Sequence, residues 1–205
     1  MFYTTLLEWM LSNVTAENTT DRMMKILGTV TCAQEGMTLS DIKDWAAIES
    51  ADLIDSLAPL LLLSEDGKAV VVHSSFSSYV FDTARSGAFY CDPAQYHTHF
   101  AQTCYDLIKL PDPPFNICSL PSSYLLDRDV PNIRETVRKG IPPRLLYACK
   151  YWGDHTRLAS RPSTLLVAAH EIVAARLLLC IEVLNLGRAN SQGVEMLHGL
   201  HEYLQ

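Results

Sequence analysis

The sequence has no glycine-rich phosphate loop. Its one Gly-Lys dipeptide, Gly67-Lys68, is followed by Ala69, and Leu62 stands where the G-x-x-x-x-G-K-[ST] pattern requires its first glycine. The amides, lysine and hydroxyl that cradle a triphosphate and its magnesium are therefore missing. G-x-S-x-G and H-E-x-x-H are absent too, so a nucleophile-elbow hydrolase and a zinc protease have no anchor, and no enzyme activity is expected. The six cysteines, Cys32, Cys91, Cys104, Cys118, Cys149 and Cys180, form no C-x-x-C pair and sit mostly in apolar surroundings. They read as buried free thiols of a reducing compartment. A basic face is lacking as well. Residues 1–92 hold thirteen acidic and five basic side chains, and residues 93–205 hold ten and eleven, a balance that disfavours nucleic acid as a partner. The opening MFYTTLLEWML has no basic n-region and carries Glu8 inside its apolar run, unlike a signal peptide. A cytoplasmic location follows as the expectation.

What the chain does have is a core. Hydrophobic residues make up 48% and charged residues 19%, a composition that folds rather than stays disordered. Phe2, Leu6, Leu7, Trp9 and Met10 recur at helical spacing, followed by a polar run to Asp21. Asp21 is placed to cap a helix carrying the stripe Met23, Met24, Ile26, Leu27 and Val30, with Gly36 as its stop. Thr38-Leu-Ser-Asp41 matches a capping pattern for a second helix running to about Ala47. Leu53, Ile54, Leu57 and Ala58 mark a third, ending near Pro59. Leu60 to Leu63 and Ala69 to His73 flank Asp66-Gly67, a short-hairpin signal. Three short helices followed by a hairpin are the arrangement of a winged helix. The expected third helix carries Glu49, Asp52 and Asp55 with no Lys or Arg, which would repel a phosphate backbone. A further helix begins just beyond His73, with Ser74 as the expected cap.

The second half reads as helices alone. One covers 93–109 behind Pro93. Four prolines then make Leu110 to Ser123 an extended connection. A short helix runs from Pro131 to Gly140, a stronger one opens at Pro142-Pro143, and the last spans 190–204. The most apolar stretch, Leu165 to Gly187, contains Glu171, Arg176 and Glu182. One central Arg costs about 2.5–3.5 kcal/mol on membrane insertion, which argues for a soluble helix and against a membrane partner. At about 100° per residue its polar residues His170, Glu171, Glu182, Asn185 and Arg188 share one arc, so a single, mostly buried helix with a narrow wet strip is expected. Arg176 lies outside that arc and needs a carboxylate or carbonyl partner, or an edge to reach. No metal site is expected from the histidines: His97 and His99 point about 200° apart on a helix, and His198 and His201, three apart and able to share an ion, lie with Glu195 and Glu202 on what reads as a solvated terminal helix. Tyr147, Tyr151 and Trp152 are expected to lock helices together. The fold class is mainly α. Its expected layout is a leading helix and linker over 1–20, a winged-helix domain with a small hairpin over 21–90 and an antiparallel helical domain over 91–205.

Several segments carry a family likeness. Arg22-Met-Met-Lys-Ile-Leu-Gly-Thr-Val-Thr31, Met37-Thr-Leu-Ser-Asp-Ile42 and Val72-His-Ser-Ser-Phe76 resemble the winged-helix part of fungal NACHT NTPases of the STAND class. Asn116-Ile-Cys-Ser-Leu120, Tyr147-Ala-Cys-Lys-Tyr-Trp-Gly-Asp-His155 and Cys180-Ile-Glu-Val-Leu-Asn-Leu-Gly187 resemble the helical region that follows it. The likeness implies that His73 matches the histidine that approaches the β-phosphate of bound ADP and holds the closed state. An imidazole at a strand end is suited to that contact, since it can donate a charge-assisted hydrogen bond to phosphate. Because the P-loop core is missing, the likeness implies ADP or ATP only together with such a core, supplied in cis or by a partner chain, and no cofactor in isolation. It also implies a regulatory role in fungal self/non-self recognition or innate defence. The other expectation is a stand-alone helical protein-protein interaction module without nucleotide sensing.

Overall fold

The computed structural model describes residues 2–12, 19–48, 56–122, 124–160 and 163–204. Among them the chain is mainly helical, with eleven α-helices and one small antiparallel sheet of three strands. It divides into two compact units, Met1–Tyr96 and His97–Gln205.

The first unit opens with α1 (Phe2–Ser12) and α2 (Thr19–Cys32). α2 starts two residues earlier than expected, so Asp21 lies in its first turn rather than at its cap, where its charge still faces the positive end of the helix dipole. The stripe Met23, Met24, Ile26, Leu27 and Val30 is buried as its spacing requires. Gly28 has a packing reason: a Cβ there would overlap the Tyr96 ring, whose hydroxyl donates to the Met24 carbonyl at 2.9 Å. Strand β1 (Met37–Thr38) leads into α3 (Leu39–Trp45). Thr38 and Asp41 form the reciprocal capping box the sequence announces, satisfying two amides that the first turn leaves without partners. α3 ends before Ala47, which turns left-handed at φ 51 as Ile48 N–H reaches back to the Lys43 carbonyl at 2.9 Å. The expected third helix lies mostly outside the described residues.

β2 (Leu61–Leu63) and β3 (Lys68–Val71) form the hairpin, with Leu62 opposite Val70. Its turn closes through Gly67, whose φ of +75 suits a residue without Cβ. β1 pairs with β3 on its other side, Met37 opposite Ala69, so β3 is the central strand. Two residues are too few to show an alternation, and the sequence reading did not anticipate β1. The pleat buries Leu61 and Ala69 and leaves Leu62, Val70 and Val72 exposed. α4 (Ser74–Val80) and the short α5 (Thr83–Ser86) follow.

The boundary between the units falls inside α6 (Pro93–Lys109). Beyond it lie α7 (Ile133–Gly140), α8 (Pro143–Leu158), α9 (Ser163–Ala175), α10 (Leu177–Leu186) and α11 (Asn190–Leu204). α8 is the axis of this unit, packing against α9, α10 and α11. Trp152 is fully buried, beside Tyr105. The proline-rich connection carries no helix or strand over its described residues up to Ser122. Its middle is tied down where the Asn116 and Ile117 amides donate to the Glu182 carboxylate at 2.7 and 3.0 Å.

The single helix expected over Leu165 to Gly187 is two helices, bent by 71°. The break is at Arg176, with φ −127 and ψ −1, and its guanidinium donates to the Pro111 carbonyl at 2.8 Å. Arg176 thus finds a carbonyl partner, as the sequence required, and leaves helical geometry where it does so. The narrow wet strip is also corrected. Val167 is 60% exposed and Leu178 77% exposed, because a single helical arc does not carry across two axes. Among the described residues no single helix is long and apolar enough to cross a membrane, although α9 and α10 pass that test as a bent pair. All six cysteines are buried free thiols.

Candidate functional site

Strand β3 ends at Val71, and Val72 N–H still donates to the Leu60 carbonyl at 3.0 Å. His73 follows in extended conformation and caps α4 with its own side chain, taking the role expected of Ser74. The Ser75 amide donates to His73 Nδ1 at 3.0 Å, and Ser75 Oγ lies 2.7 Å from the same nitrogen. A proton on Nδ1 would confront that amide N–H, so Nδ1 carries its lone pair and the neutral ring holds its proton on Nε2. Ser75 Oγ then gives its single proton to Nδ1. The 2.6 Å contact between Ser75 Oγ and Tyr3 Oη is accordingly a donation from the phenol. The ring is exposed, and among the described residues its Nε2 has no hydrogen-bond partner.

The side chains around His73 are structural. Phe76 and Tyr79 are buried, pack edge-on and tilted against Tyr3, and offer no face for a base. Thr4 Oγ1 adds a 3.0 Å bond to the Tyr79 hydroxyl. α1 is thereby held to α4 by two polar contacts and an aromatic cluster. Beside His73 the exposed face of the hairpin presents Leu62 at 57%, Val70 at 37% and Val72 at 53% exposure.

A second cluster sits inside the other unit. His97 Nδ1 and His155 Nδ1 are 2.9 Å apart, and His155 Nε2 is 2.9 Å from the Tyr147 hydroxyl. The His155 ring stacks on Phe100 with centroids 4.5 Å apart. Burial, with a smaller contribution from the Arg157 charge, pushes His97 down to about 4. Burial and the neighbouring His97 hold His155 well below the ordinary imidazole value. Two neutral rings sharing one proton between facing nitrogens, closed off by a phenol, form a satisfied buried network. His99, on the opposite side of α6, is exposed, as the 200° argument required. Nearby, Tyr105 donates to Thr156 at 2.5 Å and Thr156 donates to the Trp152 carbonyl at 2.6 Å, while the Trp152 indole N–H is buried without a partner among the described residues.

Two of the surface cavities among the described residues of this unit carry charged side chains. One, of about 680 Å³, lies between the proline-rich connection and the start of α8, walled by Leu107, Pro111, Phe115 and Leu145 with Arg144 and Asp112. The other, of about 900 Å³, brings His198 beside Glu195 and Glu202. No group of three or more His, Cys, Asp or Glu among the described residues is arranged to hold a metal ion.

The sequence singled out His73 but neither Tyr3 nor Ser75, because a hydroxyl 72 residues away leaves no trace in spacing. His155 escaped for the same reason, its partner being 58 residues upstream. Compared with protein families, with curated proteins and with solved structures, the chain matches none of them.

Proposed function

We infer that the chain is a non-catalytic regulatory fragment of a NACHT-type STAND NTPase, whose winged helix reads whether ADP or ATP occupies a P-loop core and relays the difference as a conformational change. The observation that carries this reading is His73: an exposed imidazole at the junction of hairpin and helix, its inner nitrogen committed to the α4 cap and its outer N–H without a partner among the described residues. With Nδ1 committed as an acceptor to the Ser75 amide, the phosphate contact this ring makes is through Nε2–H. A hydrogen bond to a charged group contributes about 1.5–3 kcal/mol, whereas even millimolar binding needs about 4 kcal/mol. His73 therefore reports on a nucleotide held by other residues, those of a P-loop core in cis or in a partner chain.

The order of α2, α3 and the hairpin supports a winged helix, and the apolar hairpin face beside His73 supports a protein surface as what docks there. Six buried free thiols support a reducing, cytoplasmic setting. A role in fungal self/non-self recognition and defence rests on the resemblance alone.

The test is ADP release from a matching NACHT core mixed with this chain. His73→Asn is the informative variant, since asparagine caps helices as well as any residue but has no N–H at the position of Nε2. Loss of one such bond is expected to speed release about tenfold. Release at the wild-type rate would discard the sensing role. The exposed apolar residues of α9 and α10 favour a second reading, an interaction module without nucleotide sensing. In that case partner binding survives His73→Asn and is lost on Leu178→Glu.

A further inference from the structure

The hydrogen bonds around His73 run in one direction. Its Nδ1 accepts from the Ser75 amide at 3.0 Å and from Ser75 Oγ at 2.7 Å. Ser75 has one hydroxyl proton, and what decides where it points is the second partner of Oγ, the Tyr3 phenol at 2.6 Å. A phenol that donates to Oγ leaves the serine only the imidazole to donate to, and each bond in such a chain polarises the next. Without the phenol, the Ser75 amide still favours an unprotonated Nδ1, but the serine proton is free to turn to solvent, so the Nε2–H form loses the support of one hydrogen bond. Tyr3 is positioned for this by its rings: its centroid lies 5.3 Å from both Phe76 and Tyr79.

We propose that Tyr3 is a positioning residue for His73: through the Ser75 hydroxyl it reinforces the Nε2–H form that the Ser75 amide already favours, so that docking of the leading helix α1 on α4 strengthens the outer nitrogen as a hydrogen-bond donor. The proposal deepens the sensing role and depends on it for its consequence. Departure of α1 removes this reinforcement while the Ser75 amide stays in place, which weakens the contact to phosphate in part and makes α1 a natural point of control over the sensor. The hydrogen-bond relay itself stands or falls independently of any nucleotide.

The experiment is nitrogen NMR of the histidine rings in the full chain at neutral to mildly alkaline pH, with the His73 signals identified by their loss in His73→Asn. In the wild type, the proton of His73 resides on Nε2. Tyr3→Phe, which keeps the ring and its packing, is expected to raise the ratio of Nδ1–H to Nε2–H about fivefold, the worth of one ordinary hydrogen bond. Ser75→Ala reproduces that change, and adding Tyr3→Phe to Ser75→Ala produces no more. Thr4→Val, which removes the other polar tie between α1 and α4, leaves the ratio unchanged. The relay is overturned if Tyr3→Phe keeps the wild-type ratio, if its effect persists in the Ser75→Ala background, or if Thr4→Val shifts the ratio as far, since then docking and not the proton path is responsible. ADP release from the NACHT core separates the two claims. Tautomer shifts with release insensitive to His73→Asn retain the relay and reject the sensor; the reverse pattern retains the sensor and rejects the relay.

Discussion

Nδ1 does opposite things in the histidines of this chain. In His73 it is a pure acceptor at a helix cap, whereas His97 and His155 face each other through Nδ1 and share one proton out of contact with water. The buried pair has a pH consequence. In the folded chain His97 is pushed from 6.5 down to about 4 and His155 is also held low, so as pH falls below 6.5 the unfolded chain takes up protons first. The pair's contribution to stability is therefore full above pH 6.5 and declines as pH falls below it, the share of His97 levelling off below about 4. For His97 alone the gap corresponds to about 3 kcal/mol. Thermal melts of the whole chain across this window check the slope, and His97→Gln, which still bonds His155 but does not titrate, is expected to reduce it by the His97 share while buried His155 keeps its own.

Among the elements, the division of the apolar stretch into α9 and α10 is the feature that local sequence least explains. Nothing around Arg176 breaks helices: no proline or glycine lies between Leu165 and Leu186. The bend coincides with a hydrogen bond from Arg176 to the Pro111 carbonyl, 65 residues away. A tertiary bond of a charged donor outweighs the small helix propensity of one residue. Arg176→Ala is expected to cost about 1.5–3 kcal/mol in chemical denaturation. It should also make the Leu110 to Ser122 connection more sensitive to limited proteolysis, since that connection loses one of its ties. By contrast, the box of Thr38 and Asp41 lies within four consecutive residues, and the sequence announced it in full.

Taken as a whole, the molecule leaves apolar side chains in water on α9 and α10 while burying their immediate neighbours. Leu178 is 77% exposed and Leu179 is 0% exposed, although no hydropathy measure tells two adjacent leucines apart. Leu178→Glu is expected to change stability by less than about 0.5 kcal/mol and to lower retention on a hydrophobic-interaction column. Leu179→Glu places a charge in the core and is expected to abolish cooperative unfolding. Circular dichroism melts of the two variants, side by side, measure the contrast.

Periodicity and capping rules, which act within a turn or two of chain, were enough for the sequence to announce most of the described helices, though not the Thr83–Ser86 helix or the division at Arg176, together with the Asp66-Gly67 hairpin, the Thr38 cap and the opposed directions of His97 and His99; the apolar surroundings of the cysteines announced the buried thiols. His73 was singled out through its setting between hairpin and helix and through a resemblance. Its tautomer, its donor chain from Tyr3, the pairing of β1 with β3, the His97 and His155 contact and the bend at Arg176 came only with the fold. Each joins groups far apart in the chain, and contacts of that range depend on how whole elements pack, which no local pattern encodes.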